Sequence, residues 1–113
     1  MRYGVYLGGP PRVEKPTARI SKHFLLLVKE EDGMGLFLLM STKSHTDLDV
    51  PFTLEALVAD HDEEELTIAH KLLVNNTHIR VNRLFPMEVD SDSILCRVNT
   101  DWAQNNVIPN INI

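Results

Sequence analysis

Two apolar runs stand out along the chain: FLLLV at 24–28 and LFLLM at 36–40, on either side of KEEDGMG. Each is apolar at every position rather than alternating, which fits strands covered on both faces. Leucine-rich runs also suit helices, but both are short and the Asp-Gly step between them favours a hairpin. The pattern therefore predicts strands at about 22–30 and 36–41. With Asp32 and Gly33 as the central residues of a two-residue turn, Glu31 pairs with Met34. Counting outward, Val28 faces Phe37, Phe24 faces Ser41, His23 faces Thr42 and Lys22 faces Lys43. A four-residue turn over 32–35 pairs His23 with Ser44 instead. Either way charged and hydroxyl groups gather at the hairpin's open end, where opposed β-carbons lie about 4.5–5.5 Å apart.

Around this hairpin the pattern is weaker. RYGVYLG at 2–8 alternates as a first strand, with Tyr3, Val5 and Leu7 on one face. GGPPRVEKPTARIS, rich in glycine, proline and charge, predicts an exposed loop. Pro51 marks an edge strand or a strand start. DHDEEELTIAHKLLV at 60–74 predicts a helix capped by Asp60 and Glu63, with acids in its first turn and His70 and Lys71 near its end. Leu66, Ile68, Ala69, Leu72 and Leu73 supply its apolar stripe, and Asn75-Asn76 its left-handed stop. THIRVNRLF reads as a strand with Ile79 and Val81 opposite His78, Arg80 and Asn82. PMEVDSDS turns the chain, and ILCRVN closes it with Ile94, Cys96 and Val98 facing one way. The tail, TDWAQNNVIPNINI, has neither helical nor strand period.

Composition narrows the class. With 113 residues, 43% hydrophobic and 24% charged, the chain fits one soluble domain, 1–113, with its folded core over 1–99 and a polar tail over 100–113. No apolar stretch approaches the roughly 18 residues of a membrane span, and the start lacks a signal-peptide core. The single cysteine cannot form an internal disulfide, so a cytoplasmic setting is expected. A net charge of −5 argues against non-specific duplex binding. The charge is uneven, however: Arg2, Arg12, Lys15, Arg19, Lys22 and Lys29 face one acid, Glu14, over the first 29 residues.

The order of pieces, with YGVYLGGPP, SKHFLLLV, LFLLMSTK and THIRVNRLFPMEVD in their places, resembles the PemK/MazF family of toxin endoribonucleases. The resemblance runs in patches over residues 3–95. It implies a mainly β fold with one helix, a small SH3-like β-barrel that forms a homodimer and is held by an antitoxin-like protein. It also implies cleavage of single-stranded RNA without metal or other cofactor, leaving a 2′,3′-cyclic phosphate. The family's catalytic hydroxyl falls on Ser41, with Thr42 beside it. The family's arginine falls where Lys22 stands, with Arg19 the nearest guanidinium; lysine offers a point charge in place of a planar fork.

Cyclisation of RNA needs a base for the 2′-proton, an acid for the leaving 5′-oxygen and positive charge at phosphorus. Arg19, Lys22, His23, Ser41 and Thr42 are the candidate catalytic residues, and Lys43, His78 and Arg80 the candidate RNA contacts. An ordinary solvated sheet end accounts for the same residue types. His61, Glu64, Glu65 and His70 lack metal-ligand spacing, and acids in a first helical turn need no metal to explain them. Cys96 reads as a small buried hydrophobe, and Trp102 as a plug over the barrel's end or a base-stacking surface. The rival functional class is a non-catalytic barrel that binds a protein through its acidic helix and its tail.

Overall fold

A computed structural model of the chain describes residues 3–8 and 23–111. Six strands form one curled antiparallel sheet, a half-barrel: β1 (Tyr3–Gly8), β2 (His23–Glu31), β3 (Met34–Ser41), β4 (Val50–Pro51), β5 (His78–Glu88) and β6 (Cys96–Val98). Their order is β4-β5-β3-β2-β1-β6. Helix α1 (Glu63–Val74) lies between β4 and β5, and helix α2 (Thr100–Asn106) follows β6.

The hairpin forms as its pattern predicts, with a two-residue turn. Asp32 and Gly33 take φ of 52° and 80°, the doubly left-handed geometry whose twist matches the flanking strands. Glu31 pairs with Met34 and Glu30 with Gly35, which excludes the four-residue turn. The register then slips: Lys29 pairs with Leu36 but Leu27, not Val28, pairs with Phe37. Val28 is the extra residue of a β-bulge. Every pair beyond it moves by one, so the expected Val28–Phe37, Phe24–Ser41 and His23–Thr42 pairs do not form.

Both faces of the hairpin are covered. Leu26, Val28, Leu38 and Met40 join the main core with Tyr3, Val5, Ile79, Val81 and the helices. Leu25, Leu27 and Phe37 join Tyr6 in a second cluster inside the curl, packed by Leu39, Phe85 and Met87. Each fully buried side chain of this size contributes roughly 1.5–3 kcal/mol. Leu25, Leu26, Phe37 and Leu38 are all 0% exposed, so the runs must be apolar throughout.

Helix α1 begins two residues later than the sequence pattern suggests. Asp62, not Asp60, is its cap, and Glu65, not Glu63, completes the capping box. Its buried residues are Glu65, Ala69 and Leu72, while Leu66 is 44% exposed. Asn76, at φ 51°, supplies the left-handed stop. The tail is the clearest departure from expectation, and it makes the helices two rather than one. Asn99 caps α2 by accepting from the Trp102 amide, and Trp102, Ala103 and Val107 are buried. The helical period is hidden because Asn and Gln fill the outward positions of so short a helix. β5 runs on through Pro86, where the pattern predicted a turn, and Ile94 packs on the second cluster rather than beside Cys96. No helix among the described residues is long and apolar enough to cross a membrane.

Candidate functional site

The open end of the hairpin gathers most of the predicted polar residues. Continuing the β2–β3 register from Leu25–Leu39 brings His23 opposite Ser41, so the bulge changes the imidazole's partner from Thr42 to Ser41. On the other side, Ser41 pairs with His78 and Leu39 with Arg80. Paired residues of antiparallel strands point to one face. His23, Ser41 and His78 thus form a row on the face that carries Leu25 and Leu39, with Arg80 one step deeper along β5. Gly8, opposite His23 on β1, shares that face: a β-carbon there would meet Leu25 and Met87 of the same cluster.

A cavity of about 220 Å³ opens at this end, lined by His23, Ser41 and Thr42 with Leu7, Phe24 and Asn75. Two larger hollows, about 380 Å³ each, lie at the hairpin tip and beside Trp102, and neither gathers an imidazole. The Ser41 hydroxyl oxygen accepts from the Lys43 amide at 3.1 Å, fixing how the chain leaves β3. His78 Nδ1 lies 2.8 Å from the Asn76 carbonyl. A carbonyl only accepts, so Nδ1 carries the hydrogen and Nε2 is turned away from that bond.

The loop after Lys43 is pinned from below by Asp49, which the sequence pattern did not single out. Its carboxylate accepts from the His45 amide at 2.7 Å, the Thr46 amide at 3.2 Å and the Thr46 hydroxyl at 3.0 Å. Burial pushes this carboxyl up, but these bonds and the charge of Arg80 outweigh burial and hold it below its ordinary value. The Asx-type run Thr46-Asp47-Leu48-Asp49 is the signal that could have found it. Arg80 is half-buried, and its enclosed Nε has no hydrogen-bond partner.

Lys71 is a second addition. Its Nζ sits 5.7 Å from the centre of the Phe24 ring, on the helix-packed face of β2, opposite the face of His23. Sequence alone assigned it to the helix dipole, because nothing local tells which strand a helix's last turn covers. Arg19 and Lys22 lie outside the described residues. Lys43 is exposed on the loop and His78 and Arg80 sit on the sheet face, so the three predicted RNA contacts border the same end of the molecule.

Other predicted features resolve as structure. Glu65 takes two side-chain bonds from Arg97, at 2.9 and 2.7 Å, and a third from its backbone amide at 2.8 Å. His61 Nδ1 is spent on the Val58 carbonyl at 2.9 Å. Among the described residues no group of three or more His, Cys, Asp or Glu is placed to hold a metal ion. Burial and the neighbouring Glu65 push the Cys96 thiol up to about 11, an inert state. Trp102 packs edge-on against Phe52 at 6.0 Å, as part of the core and not as a base-stacking platform.

No family model matches the chain, and no curated protein and no solved structure matches it significantly.

Proposed function

We propose that the chain is a toxin-like endoribonuclease that cleaves single-stranded RNA without metal, built on an SH3-like barrel related to the PemK/MazF type. The observation that carries this reading is the gathering of His23, Ser41 and His78 in one row at the end of the sheet, with Thr42 and Lys43 on the loop that follows and Arg80 one step in. The substrate's own 2′-oxygen attacks phosphorus, the O2′–P bond forms and the P–O5′ bond breaks. The products are a 2′,3′-cyclic phosphate and a free 5′-hydroxyl. His23 takes part in proton transfer, Lys43 and Arg80 offset charge at phosphorus, His78 contacts the phosphate, and Ser41 and Thr42 orient its oxygens. The proposal extends to a cytoplasmic homodimer controlled by an antitoxin-like protein, as the sequence resemblance implies.

The rival reading, a non-catalytic binding module, keeps the outward polar side chains of the tail, Asp101, Gln104, Asn105 and Asn106, while Trp102, Ala103 and Val107 are spent on the core. The acidic first turn of α1 remains available to it. Incubation of a long mixed-sequence RNA with the purified protein in EDTA separates the two. Fragments ending in a cyclic phosphate are expected, and Ser41→Ala with Thr42→Val should slow their formation ~10²-fold or more, far beyond the small fall in melting temperature that losing the exposed Ser41–Lys43 bond brings. Intact RNA after hours, with and without divalent ions, would favour the binding module.

A further inference from the structure

Three strands place two imidazoles symmetrically about one hydroxyl. His78 on β5 pairs with Ser41 on β3, and continuing the β2–β3 register beyond Leu25–Leu39 sets His23 at its other side, on the same face. Adjacent strands are about 4.8 Å apart, so the two histidine backbones stand roughly 10 Å from each other. That separation is wide enough to seat one phosphodiester between the two imidazoles, with the Ser41 hydroxyl at the middle of the row.

From this row we infer that His78 is not a passive phosphate contact but a catalytic residue, the acid–base partner of His23. The inference rests on the ribonuclease reading above. One imidazole takes the 2′-proton as the O2′–P bond forms. The other, as imidazolium, delivers its proton to O5′ as the P–O5′ bond breaks. The reaction consumes no water, oxidant or metal, and the pair ends with its protons exchanged. Two features favour His78 for this work. Its Nδ1–H is tied to the Asn76 carbonyl at 2.8 Å, which fixes the ring's tautomer and leaves Nε2 for proton transfer. Asn76 is itself fixed by the end of α1, where its amide donates to the Leu73 carbonyl at 3.1 Å. The helix stop thus doubles as the device that positions the ring.

The charged groups around the row are few. Gly8 stands opposite His23 on β1, and Pro51 opposite His78 on β4. Lys43 follows on the loop from β3, Arg80 lies two residues along β5, and Asp49 is committed to the His45 and Thr46 amides. Lys71 stands on the helix side, over Phe24. Among the described residues no carboxylate is paired with either imidazole, so each is left to exchange its proton with substrate.

The test uses the full chain, a single-stranded oligoribonucleotide in EDTA, and the variants His23→Gln and His78→Gln. Each variant should lose ~10²–10⁴-fold in kcat/KM, and each should lose one limb of the wild-type bell-shaped pH profile. A substrate with sulfur in place of the bridging 5′-oxygen needs no acid, because a thiolate leaves unaided. It should restore one of the two variants and not the other. An unchanged rate and pH profile in His78→Gln, with His23→Gln or the Ser41 and Thr42 variant impaired, would overturn the inference and leave the ribonuclease reading standing. Equal impairment of His78→Gln on both substrates with both pH limbs kept would reduce His78 to a structural role. A wild-type protein that cleaves neither substrate would end both proposals together.

Discussion

Glu65 occupies an inward position of α1 where the helix pattern would ordinarily place an apolar residue. It is tolerated because Arg97 meets it with three hydrogen bonds, which join α1 to β6. The Arg97 side chain, aided by its own amide and that of Asp62, brings the Glu65 carboxyl from its ordinary 4.5 down to about 2. A depressed carboxylate stabilises the fold above its unfolded value, and that contribution fades as pH falls through the folded one. The protein should therefore lose stability as pH drops from about 4.5 to about 2. Glu65→Gln should cost about 2 kcal/mol at pH 7, a figure discounted for the partial exposure of Arg97, and should flatten that acid limb. Urea midpoints of both proteins at pH 7 and pH 3 check this; parallel loss in the two would exclude the pair as its source. In the sequence, Glu65 sits inside the acidic run DHDEEE, and nothing there tells the one inward carboxylate from its exposed neighbours Glu63 and Glu64.

At the scale of elements, the sequence speaks clearly where a pattern repeats and is silent where one residue breaks it. The Asp-Gly turn and the both-faces-buried strands follow from KEEDGMG between two unbroken apolar runs. The bulge at Val28 does not, because a valine extra to an all-apolar run disturbs no alternation that would betray it. That slip is what exchanges Thr42 for Ser41 opposite His23, so the sequence shows which polar residues gather at the hairpin's open end but not how they pair. The His78–Ser41 pairing was hidden for another reason: only the fold puts β5 beside β3, across α1. The hairpin also holds two glycines with opposite sensitivities. At Gly35 a β-carbon would lie 2.5 Å from Val89 Cγ2 and 2.6 Å from Leu27 Cδ1. At Gly33 nothing lies within 4 Å, but φ is +80°. With three contacts under 3 Å, Gly35→Ala should thus approach the upper end of the ~1–3 kcal/mol of overpacking, and Gly33→Ala should cost the ~1–2 kcal/mol of a left-handed alanine. Chemical denaturation of the two variants should rank them in that order; the reverse ranking would mean that Val89 moves aside freely.

At the scale of the whole molecule, the two apolar strands need no partner to hide them. Leu25, Leu27 and Phe37 are at most 1% exposed within one chain, so exposed hairpin area does not demand a dimer. The proposed homodimer must use other surfaces. The outer edge of β5 is one, since β4 pairs with His78 and Ile79 alone, but Arg83, Pro86 and Glu88 guard it against strand addition. Light scattering at 100 μM is expected to give about twice the 12.9 kDa of one chain. A value of one chain mass, unchanged on dilution, would remove the dimer from the proposal.

β1 has strands on both sides, and they come from distant parts of the chain: β2 is the next strand, whereas β6 is the last of the six. On the ribosome, the meander of β1, β2 and β3 can assemble as soon as it emerges. The other side of β1 then waits for Cys96, Arg97 and Val98 to be made. At about 5–20 residues per second that wait is on the order of several seconds. Throughout it a twisted three-stranded sheet carries an open row of amides and carbonyls along Tyr3, Gly4 and Val5. The pairing with β6 is thus also the one that ends this edge's exposure to wrong neighbours.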